Sequence, residues 1–176
     1  AAGLAARFDH VLIDEYQDTN RLQAEVLAAL RPDGTGVTVV GDDAQAIYSF
    51  RAAEVRNILD FPDRFTPRAR VVTLERNYRS SAPILAAANA VIAEAAERFT
   101  KDLRTDRMGG EPPVLAHVLD EATQANYICA DVLEAREAGA TLREQAVLFR
   151  TAHHSGPLEV ELTRRKIPFV KYGGLK

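Results

Sequence analysis

The chain alternates between two hydrophobic patterns: short β-branched runs that end in acids or glycines, and longer stretches with an apolar residue every three to four positions. Residues 10–14 predict a buried strand that stops at the acid pair Asp14-Glu15. Asn20 and Gln23 have the spacing of a capping box. They open a helix whose expected stripe is Leu22, Val26, Leu27 and Leu30. Pro32-Asp33-Gly34 forces a turn, and Val37-Thr38-Val39-Val40 predicts a second buried strand, with Gly41-Asp42-Asp43 as the loop at its end. Val55 to Leu59 supports a short helix and Val71 to Leu74 a third strand. Strands separated by helices, with polar residues at the strand ends, predict a parallel α/β sheet. Ligands of such sheets bind beyond the carboxyl ends of the strands, where both acid-bearing loops are expected.

Arg76-Asn77-Tyr78-Arg79 interrupts the apolar pattern, and Ser80-Ser81 with Pro83 marks a helix start. That helix is expected to run to about Glu97 on a stripe of Ile84, Leu85, Ala88, Val91 and Ile92. The charged stretch 98–113, with Gly109-Gly110 and Pro112-Pro113, predicts a loop or linker. Beyond it the pattern predicts a strand at Val114–Val118, a helix over about 121–138, a strand at Ala146–Phe149 and a helix at Leu158–Lys166. A last strand would start at Phe169-Val170 and stop at Gly173-Gly174. The expected domain boundary falls between residues 75 and 76, giving segments 1–75 and 76–176.

Composition adds limits. With 176 residues, 47% hydrophobic and 27% charged, the chain has the make-up of a soluble globular protein. No apolar run approaches the roughly 18–20 residues of a membrane span, and no secretory signal pattern opens the chain. The net charge of −3 argues against a basic DNA-coating protein, though not against a localised binding groove. The single cysteine, Cys129, permits no intramolecular disulfide and fits a reducing cytoplasm. It lies in an apolar helical pattern and is read as a buried structural thiol. The chain begins Ala-Ala-Gly and is read as a piece of a longer protein.

Three constellations carry chemistry. In Val11-Leu12-Ile13-Asp14-Glu15-Tyr16-Gln17-Asp18-Thr19-Asn20 an apolar run delivers two carboxylates to an exposed strand end. In nucleotide hydrolases the first such acid helps hold Mg²⁺ and a following glutamate polarises the attacking water. The second is Val40-Gly41-Asp42-Asp43-Ala44-Gln45-Ala46-Ile47-Tyr48-Ser49-Phe50-Arg51, the third Leu74-Glu75-Arg76-Asn77-Tyr78-Arg79-Ser80-Ser81. Together these closely resemble the Walker-B-type motif and motifs III and IV of the UvrD/Rep/PcrA group of superfamily 1 DNA helicases. The resemblance runs over about residues 8–174 but matches only the middle of such a helicase. Two departures stand out: Phe50 occupies a position where the family often has tryptophan, and Ala52-Ala53 replaces a common Gly-Ala. A fourth segment, Ala146-Val147-Leu148-Phe149-Arg150-Thr151, is similar to the start of the family's second motor domain. The family's Asn-x-x-Ser-Arg-like run is replaced here by Ala152-His153-His154-Ser155-Gly156-Pro157. Adjacent loop histidines without further ligands make a poor zinc site.

The resemblance implies an α/β fold with parallel RecA-like (P-loop NTPase) sheets, comprising the end of the first motor domain and the start of the second. It implies ATP and Mg²⁺ as cofactors, single-stranded and duplex DNA as partners alongside the remaining helicase domains, and 3′-to-5′ unwinding in repair or replication. Carried over residue by residue, Asp14 would hold the metal and Glu15 orient the water. Gln45 would sense the γ-phosphate, Arg79 reach it across the cleft, and Tyr78 pack on the nucleotide base. Tyr48 and Phe50 would stack on bases, which holds DNA without reading its sequence; Arg51 and Arg150 would contact the strand. No G-x-x-x-x-G-K-[ST] loop occurs in the sequence, so the isolated chain is expected to be inactive. Three other readings remain open. One is a subunit of a helicase–nuclease recombination complex, and another is a non-catalytic binding module derived from a helicase. The last is a metal-dependent nuclease using Asp14, Asp18, Asp42 and Asp43.

Overall fold

A computed structural model describes residues 2–173, which form two compact units divided between Pro113 and Val114. The first unit holds α1 (Ala2–Ala5), β1 (Val11–Ile13), α2 (Arg21–Leu30), β2 (Val37–Val39), α3 (Arg56–Leu59) and α4 (Ala82–Ala93). The second holds α5 (Glu121–Glu137) and α6 (Ser155–Arg164).

β1 and β2 pair in parallel, with Val11 opposite Val37 and Ile13 opposite Val39. The ladder continues past the strands: Val40 donates its N–H to Ile13 O at 2.8 Å, and Tyr16 donates to Val40 O at 2.9 Å. Side chains alternate across a strand, so Val11, Ile13, Val37 and Val39 pack on a core of Tyr16, Ala24, Leu27, Ile58 and Phe61. Tyr16 and Phe61 meet edge to face at 5.3 Å. The opposite sheet face is open, with Leu12 exposed. The strands are therefore half-buried, which corrects the expectation of buried strands.

The capping box at α2 forms as expected: Asn20 Oδ1 accepts from Gln23 N–H, and Gln23 Oε1 accepts from Asn20 N–H, each at 2.9 Å. Its buried face is Ala24 and Leu27, whereas Leu22 and Val26 point to solvent. The expected stripe is thus rotated, because the small Ala24 lets the helix sit close to Tyr16 and Phe61. The turn after α2 needs Gly34 at φ 73°, and a Cβ there would lie 2.7 Å from the Phe65 ring.

Four expected strands, at 71–74, 114–118, 146–149 and 169–170, do not form among the described residues. A β-prone run becomes a strand only when a neighbour takes its N–H and C=O groups. Val71, Val72, Leu74, Val114, Leu115, Leu148 and Val170 are all exposed instead, Leu148 at 92%. The end expected at Gly173-Gly174 falls partly outside the described residues, at Gly174. α4 stops at Ala93 instead of Glu97, and Ile84 and Val91 of its expected stripe are exposed while Leu85 is buried. α6 begins at Ser155, with Pro157 in its first turn, where a missing N–H costs nothing.

The stretch 98–113 is not a free linker. Asn89 Nδ2 donates to Leu103 O and Asn89 Oδ1 accepts from Leu103 N–H, while Asn77 donates to Arg104 O at 2.7 Å. In the second unit, α5 and α6 enclose Ala125, Cys129, Leu158, Leu162 and Ile167. Asp120 caps α5 through Thr123 N–H at 2.7 Å. Cys129 is fully buried, as expected, and burial pushes its thiol above the ordinary range. Among the described residues no helix is long and apolar enough to cross a membrane.

Candidate functional site

The extended ladder sets the end of β1 beside the end of β2, so the two acid-bearing loops are neighbours. Asp14 and Glu15 are both exposed. Asp14 Oδ1 accepts the Glu15 N–H at 2.9 Å. Glu15 itself adopts φ 50°, ψ 44°, a left-handed conformation uncommon for a residue with a Cβ. Such strain persists only where the surroundings hold it, and it gathers at functional sites. Tyr16–Asp18 then form a short 3₁₀ turn, with Asp18 in its first turn.

On the second loop, Asp42 caps the 3₁₀ turn Asp43–Gln45 by accepting from Ala44 N–H at 3.0 Å. Gln45 Nε2 donates to Asp42 Oδ2 at 2.8 Å. Between the loops lies Gln17, 2% exposed. Its amide nitrogen donates to Glu15 Oε2 at 2.7 Å, and its oxygen accepts the Asp42 N–H at 3.0 Å. An unbroken chain of hydrogen bonds thus links Glu15 through Gln17 and Asp42 to Gln45. A second bracket ties the first loop to the start of α3: Glu54 N–H donates to Thr19 O at 3.0 Å, and so does Asn57 Nδ2, at 2.9 Å.

Lys101 closes the cluster. Its ammonium pairs with Asp42 Oδ1 and lies 3.0 Å from Asp43 Oδ1, and Phe99 N–H donates to Asp43 Oδ2 at 3.2 Å. Burial would raise the Asp42 carboxyl, but the bonds from Lys101 and Gln45 outweigh it and hold the group below its usual range. Burial would likewise lower Lys101, and its two aspartate partners outweigh that and raise it. With Asp42 and Asp43 both engaged by the Lys101 ammonium, the four-aspartate metal cluster of the nuclease reading loses two of its members. Among the described residues no group of three or more candidate ligands gathers at one point.

Tyr48, Phe50 and Arg51 form one exposed cluster. The two rings lie 5.8 Å apart, and the Arg51 guanidinium sits 5.6 Å from the Tyr48 centroid and 5.8 Å from that of Phe50. Phe50 is 73% exposed, which is no core position. Tyr78 and Arg79 are exposed in the same unit; Tyr78 receives the Arg76 guanidinium at 5.2 Å, and Asn77 Oδ1 accepts the Arg79 N–H at 2.9 Å. Neither bonds directly to Asp14, Glu15 or Gln45 among the described residues. Arg150 is an exposed residue of the second unit, ahead of the 3₁₀ turn Ala152–His154.

Gln17, Asp42, Asn57 and Lys101 were not singled out from the sequence for positioning roles. Gln17 had a legible signal, an amide two residues past the acid pair at a position flanked by the buried Tyr16. Lys101 had none, because its partners lie 58 and 59 residues away.

Two family models match the chain: the UvrD/REP helicase N-terminal domain over residues 1–66, and the UvrD-like helicase C-terminal domain over residues 72–176. DNA helicase II of Escherichia coli is 39% identical over 170 residues, covering 97% of this chain and 24% of its own length. ATP-dependent DNA helicase PcrA of Staphylococcus epidermidis is 36% identical over 170 residues, with 97% and 23% covered. ATP-dependent DNA helicase UvrD1 of Mycobacterium tuberculosis is 42% identical over 179 residues, again with 97% and 23% covered. The chain spans about a quarter of the length of the curated relatives it matches.

Proposed function

Since this chain belongs to the UvrD-like helicase family, we propose that it is the central part of an ATP-dependent DNA helicase that moves 3′ to 5′ along one strand and unwinds duplex in repair or replication. Residues 1–75 are then the end of the first RecA-like domain and residues 76–176 the start of the second, in a cytoplasmic protein. The remaining helicase domains supply the phosphate-binding loop. The observation that carries this reading is the hydrogen-bonded chain from Glu15 through Gln17 and Asp42 to Gln45. It joins the hydrolytic acid of one strand end to the phosphate-sensing glutamine of the next.

Asp14 suits Mg²⁺, which takes hard oxygen ligands from one or two carboxylates and completes its shell with phosphate and water. The Asp14 carboxylate is exposed, and one of its oxygens accepts the Glu15 N–H, which fixes its orientation. When bound, the ion neutralises charge that develops on the transferring phosphoryl group. Glu15 orients and polarises the attacking water. Gln45 and Arg79 answer to the γ-phosphate, the planar guanidinium matching its oxygens, and Tyr78 packs on the base. Tyr48, Phe50 and Arg51 hold single-stranded DNA by stacking and charge, and Arg150 contacts its backbone. Hydrolysis is thereby coupled to DNA grip, because the loop that senses phosphate continues directly into the aromatic cluster.

The test is unwinding by the intact protein on duplexes with a 3′ or a 5′ single-stranded tail. ATP-dependent opening of the 3′-tailed substrate alone supports the reading. DNA binding without any nucleotide hydrolysis would instead favour a non-catalytic module.

A further inference from the structure

We infer that Gln17 is a positioning residue for the hydrolytic glutamate: its buried amide holds the Glu15 carboxylate in place and ties that placement to the loop carrying Asp42 and Gln45. The inference rests on the helicase reading and assigns a role within the same site.

Three independent features carry it. The first is bonding: each end of a 2%-exposed amide is used, Nε2 on Glu15 Oε2 at 2.7 Å and Oε1 on Asp42 N–H at 3.0 Å. A buried amide with both ends engaged is fixed in orientation, because flipping it would set like poles against both partners. The second is the backbone of Glu15, held at φ 50° with its N–H turned onto Asp14. That conformation aims the carboxylate back over the turn, within reach of the Gln17 nitrogen two residues on. The third is Gly41. A Cβ at this position would lie 2.5 Å from Gln17 Oε1 and 3.1 Å from Tyr16 N, so the close approach of the second strand's end depends on a residue without one. The β1–β2 ladder ends with Tyr16 N–H on Val40 O, and the Gln17 side chain supplies the next rung.

The mechanical consequence is direct. A displacement of the Asp42–Gln45 turn pulls on Gln17 Oε1 and is passed to Glu15 through a rigid planar group. Glu15 therefore reaches its working position only when the phosphate-sensing loop is in place.

The test uses the intact enzyme with Gln17→Met, which keeps volume and loses both bonds. Gln17→Glu keeps the acceptor for Asp42 but sets a carboxylate against Glu15. Each variant is measured for DNA-stimulated ATP hydrolysis, for binding of a fluorescent ATP analogue and for melting temperature. Both are also built in a Glu15→Gln background. The expected result is a fall in kcat of at least about tenfold, the scale of a misplaced reacting group, with KM and analogue binding within about twofold. Neither substitution should add a further loss once Glu15 is already glutamine, because Gln17 acts through it. A folded Gln17→Met enzyme with kcat within about twofold of the unsubstituted one overturns the assignment. So does an equal loss in the Glu15→Gln background, or failure of both variants to fold, either of which would make Gln17 architectural only. An unsubstituted enzyme without DNA-stimulated ATPase overturns the helicase reading, and this assignment with it.

Discussion

Replacing Lys101 with methionine should loosen the Asp42–Gln45 loop selectively, and the structure sets the size of the effect. The Lys101 and Asp43 side chains are 11% and 5% exposed and that of Asp42 is 30% exposed, so the pairs stand between a solvent-screened contact and a fully buried one. Removing one partner of a buried pair costs about 3–5 kcal/mol, whereas an exposed pair contributes about 0–1 kcal/mol. Both aspartates keep other donors, Phe99 N–H for Asp43 and Ala44 N–H with Gln45 Nε2 for Asp42, which reduces the penalty for the stranded charges. An intermediate cost of about 2 kcal/mol follows. It corresponds to roughly 30-fold more frequent local opening. Amide hydrogen exchange of the 176-residue chain and its Lys101→Met variant, read at Gln45 and Ala46, measures this directly. Those two amides close the turn, donating to Asp42 O and Asp43 O. Amides of α5 should exchange unchanged and serve as the internal control. Acceleration of less than about threefold at Gln45 and Ala46 would refute the reasoning, because the pairs would then act as surface contacts.

Two further predictions follow from the same geometry. The Asp42 carboxyl is held below its usual 3.8, so its contribution to protection of the loop is present above that pH and lost as pH falls through its lower folded value; Lys101 is raised above 10.5, so its contribution is full below 10.5 and lost as pH rises through its higher folded value. Exchange protection should therefore be flat between these limits, and the alkaline limb should vanish in Lys101→Met. Phe50→Ala in the intact protein should weaken single-stranded DNA binding by roughly 1–3 kcal/mol, alike for pyrimidine and mixed sequences. Its melting temperature should stay unchanged, since the ring is largely exposed; unchanged DNA affinity in a DNA titration would remove Phe50 from the interface.

What the sequence made legible was local. The acid pair at the end of an apolar run, the Asn20–Gln23 capping box, and the helices at 21–30, 56–59, 121–137 and 155–164 depend on neighbours within a turn or two. Strand formation depends on distant partners, and so Val71–Leu74, Val114–Val118, Ala146–Phe149 and Phe169-Val170 stay unpaired although their composition is β-prone. On α2 the large apolar Leu22 and Val26 suggest burial by size, whereas the close packing uses Ala24. Within the site, Asp14 and Glu15 could be proposed from the acids that end an apolar run, and Gln45 from the resemblance of its motif to a helicase one. The bonds that organise them could not: Gln17 to Asp42 crosses 25 residues and Lys101 to Asp42 crosses 59. The expected linker at 98–113 supplies Lys101, a role its charged composition did not suggest.

The proposed hydrolytic chemistry depends most directly on one carboxylate. Glu15→Gln in the intact protein removes the charge that orients water while keeping the shape and the hydrogen-bond reach of the side chain. DNA-stimulated ATP hydrolysis by this variant should fall by at least about 100-fold, with binding of a fluorescent ATP analogue in the presence of Mg²⁺ within about threefold of the unsubstituted protein. Hydrolysis retained at near its original rate would contradict the assignment of this strand-end acid pair as the hydrolytic centre of a helicase motor.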